Sequence, residues 1–133
     1  MANFIEEKIR KVSIKKGIKL AKNSERRRFA FELHEKGAII QELLNFICSD
    51  SKIEIHKHPQ KGKAEIFYVI KGKMKVFIYD GRGKIKKEYS LKAGDMAVAM
   101  PGEYHNLKAE SELAIAYIVI TGKYNPKTHH AKL

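Results

Sequence analysis

From Lys52 onward the chain is a succession of short β-type runs with no helix between them, and this narrows its folding options more than any other feature. The runs KIEIHKH, EIFYVIKG, KMKVFIYD, KIKKEYSL, DMAVAM, YHNL and ELAIAYIVI follow one another at close spacing. Punctuation falls at Lys71-Gly72-Lys73, Asp80-Gly81-Arg82-Gly83 and Lys92-Ala93-Gly94-Asp95. The DGRG stretch between two alternating runs predicts a hairpin, because those residues accept the tight backbone of a strand reversal. Seven or so strands in this order predict an all-β antiparallel sandwich or barrel.

The first fifty residues read differently. Residues 4 to 22 mix Ile, Leu and Lys without alternation and predict one or two short helical or irregular pieces. Asn23-Ser24 breaks the chain, and the basic run Arg26-Arg27-Arg28 leads into FAFEL, a first strand. After the turn at Lys36-Gly37, AIIQELLNFI places Ile39, Leu43, Leu44 and Ile47 at helical spacing, which predicts an amphipathic helix over 38–47. The expected organisation is one domain: a helical and strand extension over 1–50, a barrel over 51–126, and a flexible polar tail over 127–133.

Composition sets the outer limits. At 133 residues and 44% hydrophobic content, one packed core is feasible without disulfides, and Cys48 is alone. No apolar run approaches the roughly 20 residues of a bilayer span. The start, MANFIEEKIRKVSIKKG, lacks the continuous apolar segment of a secretory signal. These features predict a cytoplasmic chain with no membrane partner. The net charge of +12 would draw anions, but the lysines are spread along the chain and read first as a solvated surface. No aromatic RNP strand, zinc finger or basic zipper is present, so no nucleic-acid partner is expected.

The chemistry gathers at four residues. His56 and His58 are two apart on a predicted strand, so both face one side, about 6.6 to 7 Å apart. Glu65 opens the next run and can lie across from them, and His105 opens a later one, after Met100-Pro101-Gly102. Three imidazoles and a carboxylate form a first shell for one divalent transition metal, with Fe, Mn, Ni, Zn and Co all suited. Taken singly, each has a plainer reading: Glu65 as a surface carboxylate amid lysines, His105 as a loop histidine. Strict alternation would add Glu54 to the face of His56, and both faces of EIFYVIK are apolar, which suits a strand covered on both sides. Arg28, within the arginine run, can fork onto a phosphate or carboxylate of a substrate. Tyr104 and Tyr117 can present hydroxyls to a substrate, or simply pack. His34, His129 and His130 are weaker metal candidates.

His56-Lys57-His58, then Glu65 and Gly72, resembles the first cupin motif, and Gly94, Pro101-Gly102 and His105-Asn106 resemble the second. Six residues separate His58 from Glu65, a loop somewhat longer than the commonest pattern, and Pro101 stands one residue nearer the last histidine than usual. SERRRFAFELHEKGAIIQELLNFI and the closing GKYNP further resemble WbuC-type cupin-fold metalloproteins. That resemblance implies the cupin double-stranded β-helix, a jelly-roll barrel with a short N-terminal helical segment. It also implies a metal on His56, His58, Glu65 and His105, and a homodimer. A role in surface-polysaccharide (lipopolysaccharide) biosynthesis follows from it, on a small anionic carbohydrate such as a nucleotide-sugar. Glu65, or water on the metal, would then move a proton in an isomerase or epimerase reaction. An Fe(II)-dependent oxygenase and a non-catalytic small-molecule sensor are the alternatives.

Overall fold

The computed structural model describes residues 11–57, 63–122 and 131–132, the last two by backbone alone. Among these residues a single helix, α1 (Ile14–Lys22), precedes ten strands: β1 (Arg28–Glu32), β2 (Ile40–Cys48), β3 (His56–Lys57), β4 (Glu65–Lys71), β5 (Lys73–Tyr79), β6 (Ile85–Lys92), β7 (Met96–Ala99), β8 (Tyr104–Ala109), β9 (Leu113–Thr121) and β10 (Ala131–Lys132). They form two antiparallel five-stranded sheets, ordered β1-β2-β9-β4-β7 and β10-β3-β8-β5-β6. Between β4 and β5 the chain passes from the first sheet to the second through Gly72, which takes φ 82° and where an added Cβ would lie 2.5 Å from Ser111 Oγ. DGRG joins β5 to β6 as expected, with Asp80 Oδ1 accepting from the N–H groups of Arg82 and Lys84.

One element departs from the sequence reading. The helix expected over 38–47 is the strand β2, paired with β1 on one side and with β9 along its whole length on the other. Its helix-like spacing arises because both of its faces are covered. Ile47 and Leu43 turn into the barrel with Phe67, Val69, Met74, Val76 and Ile118. Leu44, Phe46 and Cys48 turn outward into a second cluster with Ala21 and Ile115, packed by Ile18, Phe29 and Phe31. A strand buried on both sides loses its polar alternation, and a short apolar run then reads equally as helix.

The second cluster is what seats α1. Ser13 caps the helix by accepting from Lys16 N–H, and Lys19 and Lys22 lie in its last turn, where the helix dipole favours cations. Gly17 lets the helix approach β2, since a Cβ built there would stand 2.2 Å from Phe46 Cζ.

The outer face of β4 differs from expectation too. Glu65, Phe67 and Val69 point inward as predicted, but Tyr68 and Ile70 are exposed. Beside them, Met96 and Val98 on β7, the edge strand of its sheet, and Met100 just after it are exposed as well. This apolar face is open. Among the described residues, no helix is long and apolar enough to cross a membrane.

Candidate metal centre and the cleft beside it

The centre joins the two sheets at one end of the barrel. In the second sheet, β3 and β8 pair antiparallel with His56 directly opposite His105, and the two ring centroids are 4.5 Å apart. In the first sheet, Glu65 opens β4, held between Ala99 of β7 and Ile120 of β9. Its carboxylate crosses the barrel to His105 Nε2 at 3.0 Å, and the edge of Phe67 packs against the same imidazole. Glu65 and His105 are both buried. One ligand atom from each of His56, Glu65 and His105 lies within 4.8 Å of the others.

The outer ring nitrogens explain the aim of the inner ones. His56 Nδ1 lies 2.8 Å from the carbonyl of Glu54, and His105 Nδ1 lies 3.0 Å from the carbonyl of Glu103. Each histidine is therefore anchored by the backbone two residues before it, which sets Nδ1–H as donor and leaves Nε2 as the ligand atom. Burial opposes charge on His105, but its hydrogen bond to Glu65 and the charge of Glu65, with Glu103 behind, outweigh it. The net effect raises the His105 pKa. With Nδ1–H committed to a carbonyl, the contact between Nε2 and Glu65 Oε1 needs one shared proton, and a cation bound there would take that proton's place.

This donor set fits a divalent transition metal: two imidazole nitrogens and one carboxylate, oriented from behind and converging within a few ångströms. His58, the fourth expected ligand, lies outside the described residues, as do His129 and His130. Glu54 departs from strict alternation. Residues 51–55 are not regular strand, so Ile53 packs on the barrel core while the Glu54 side chain is exposed.

The remaining sequence candidates are placed elsewhere. Tyr104 neighbours His105 on β8 but occupies the opposite face, its ring under Lys57 Nζ at 4.7 Å. Tyr117 lies on the outer face of β9, where its hydroxyl donates to Glu42 Oε1 and its pKa is pushed up to about 12, by that bond first and by burial second. Neither is brought to the imidazole–carboxylate cluster. His34 is bound to the backbone of Glu42. Arg28, by contrast, lines a cleft of about 570 Å³ whose wall also includes His56.

Sequence reasoning missed Lys63, which is buried and donates to the carbonyl of Gly122. Burial pushes its pKa down. Its surroundings of further lysines read as solvated surface, and no local signal separates it from them. The anchoring carbonyls were missed also, although a Glu two residues before each histidine is visible in the chain.

The model of one family, described as a domain of unknown function (DUF6016), matches residues 9–91. The chain belongs to that family. No curated protein matches this DUF6016 member. Its fold is shared by solved structures. An uncharacterized conserved protein with a double-stranded β-helix domain from Klebsiella pneumoniae superposes with TM-score 0.68 at 21% identity, over 96% of this chain and 97% of that one. Oxalate decarboxylase from Bacillus subtilis gives TM-score 0.61 at 20% identity, covering 80% of this chain and 31% of its own. The Cnp3 cupin domain of Schizosaccharomyces pombe gives TM-score 0.55 at 13% identity, covering 72% and 61%. The DUF6016 member thus spans about a third of the decarboxylase. At these identities the likeness shows the fold, which is the cupin double-stranded β-helix.

Proposed function

We propose that this chain is a metal-binding cupin of the WbuC type, acting in the cytoplasm on a small anionic, carbohydrate-derived ligand in surface-polysaccharide biosynthesis. The observation that carries the reading is the convergence of His56, Glu65 and His105 from two sheets, with both imidazoles oriented by backbone carbonyls. A bound divalent ion would supply Lewis acidity toward a carbonyl or a pair of adjacent oxygens. The chain's own residues supply the rest. Glu65 Oε1, already hydrogen-bonded to His105, is placed to accept or return a proton, as isomerisation or epimerisation of a keto-sugar requires. The apolar walls around Phe67, Ile118 and Ile120 exclude water from that exchange.

The test is elemental analysis of the purified protein beside its His105→Ala and Glu65→Gln variants. One equivalent of a divalent transition metal in the parent, lost in His105→Ala, is expected. A parent that holds no metal after incubation with Fe(II), Mn, Co, Ni or Zn refutes the reading. Incubation of the loaded protein with nucleotide-linked keto-sugars then tests the substrate class, and iron-dependent oxygen uptake would favour the oxygenase reading instead.

The partner in this reading is a second copy of the chain, seated on the open face of β4 and β7. With a net charge of +12 on each copy, two molecules repel least where lysine is absent. The outward residues there are Ile66, Tyr68 and Ile70 on β4 and Met96, Val98 and Met100 around β7, all of them uncharged.

A further inference from the structure

Arg27 is the one non-glycine residue with positive φ among those described, at 58°. An L-residue is strained in that conformation, so it persists only where the surroundings impose it. They do so through both backbone polar groups and two of the three guanidinium nitrogens of Arg27. Its N–H donates to Ser24 O and its carbonyl accepts from Cys48 N–H. Its Nε reaches both oxygens of Asp50 at 3.1 Å, and its Nη1 donates to Lys22 O at the end of α1. Arg27 is therefore consumed by structure, and it fixes the backbone from which its two neighbours project.

Those neighbours are not consumed. Arg28 Nη1 donates to Ser51 Oγ and to Lys52 O, at 3.2 and 3.0 Å. Ser51, buried, is in turn fixed by its own bond to Arg26 O at 2.7 Å. The other edge of the same guanidinium, Nε and Nη2, makes no hydrogen bond among the described residues. A half-buried fork with one edge clamped and the other open matches two oxygens of a phosphate or carboxylate. Burial, with Arg26 close by, pushes the Arg28 pKa down despite Glu54, so added negative charge is favourable there. Arg26 and Lys52 line the same cleft, and its wall continues to His56. Asp50 is already matched by Arg27. A cleft of about 570 Å³ holds a ligand of a monosaccharide's size with one such group.

We propose that this cleft is an oxyanion subsite, in which the open edge of Arg28, with Arg26 and Lys52, grips a phosphate-type group while the rest of the ligand extends toward His56. Only the inner end rests on the metal-binding reading; the grip of Arg28 does not.

The experiment uses full-length protein freed of metal by chelation, titrated with inorganic phosphate and with a monosaccharide phosphate by calorimetry. Saturable one-to-one binding of both is expected. Arg28→Gln should weaken it at least tenfold, and Arg26→Gln several-fold. The paired control Lys87→Gln/Lys108→Gln removes two surface charges elsewhere and should change little. Arg28 also holds Ser51, so thermal melts accompany each variant, and the exposed Arg26 serves as the substitution that leaves that contact intact. Non-saturable binding, or equal losses in the lysine control, overturns the proposal in favour of a diffuse field of net charge. Metal retained by Arg28→Gln with phosphate binding lost separates this subsite from the metal centre. Phosphate binding that survives in a protein unable to take up any metal would sink the metal reading alone.

Discussion

Substituting Gly17 by alanine is the sharpest probe of how the N-terminal segment is held. In an isolated helix the change would help by about 0.5–1 kcal/mol, because glycine gives up more backbone freedom. Here the new methyl would meet three ring atoms of Phe46, at 2.2, 2.3 and 2.6 Å, against an ordinary contact of 3.4–4 Å. Phe46 has no accessible surface, and Phe31 closes one side of it edge-on at 5.8 Å, so its ring has nowhere to swing. The helix must therefore lift from β2 by more than 1 Å. Overpacking of this kind costs about 1–3 kcal/mol. Subtracting the helical gain leaves a net loss of at most about 2.5 kcal/mol, centred near 1 kcal/mol, or about 3–5 °C in Tm for a domain of this size. Denaturant and thermal unfolding followed by circular dichroism measure both. Because Lys22 O at the end of α1 is tied to Arg27, the lift should also weaken phosphate binding while leaving metal content unchanged. Phe46→Leu in the same chain should relieve the clash, so that the double variant loses less than the sum of the single ones. A Gly17→Ala protein as stable as the parent, or more so, would refute the packing of α1 on β2.

Three further outcomes are expected. Metal-free protein should lose stability as pH rises: a raised His105 pKa contributes stability in full below the ordinary 6.5, and that contribution fades as pH climbs through the elevated folded value. In Glu65→Gln burial is opposed by Glu103 alone, so the fall in denaturant midpoint between pH 5 and 8 should flatten or reverse; parallel slopes in the two proteins would contradict the pairing. Tyr117→Phe should cost about 1 kcal/mol for its lost bond to Glu42 and leave metal content untouched, because that hydroxyl lies on the outer face; loss of metal on this substitution would overturn the placement. Val98→Lys sits at an exposed site, so the fold should survive within about 0.5 kcal/mol. Sedimentation should show a dimeric parent and a monomeric variant, and a parent that is already monomeric would refute the pairing of two copies.

What the sequence determined by itself was the set of local structures. Strands β4 to β9 fall where alternation and turn residues place them, because a strand with one buried face writes its period into the chain. Ile14–Lys22 is helical as its polar-apolar mixture implied, and Glu65, Phe67 and Val69 share a face because successive side chains must alternate. The sequence joined His56, His58, Glu65 and His105 as one ligand set; His56, Glu65 and His105 do converge, and His58 lies outside the described residues.

Tertiary structure alone decided what happens where neighbours cover both faces or where regular strand ends. β2 became a strand because β1 and β9 pair with it and α1 covers its outer side, and of these only β1 is its neighbour in sequence. Glu54 turned out to solvent because regular pairing begins only at His56, a boundary set by the partner strand β8. Lys63 and the open edge of Arg28 were equally illegible, since a lysine among lysines or an arginine among arginines shows its burial only when the chain is folded. The meeting of Glu65 with His105, forty residues apart, was legible as chemistry. Its 3.0 Å contact was fixed by two sheets closing on each other.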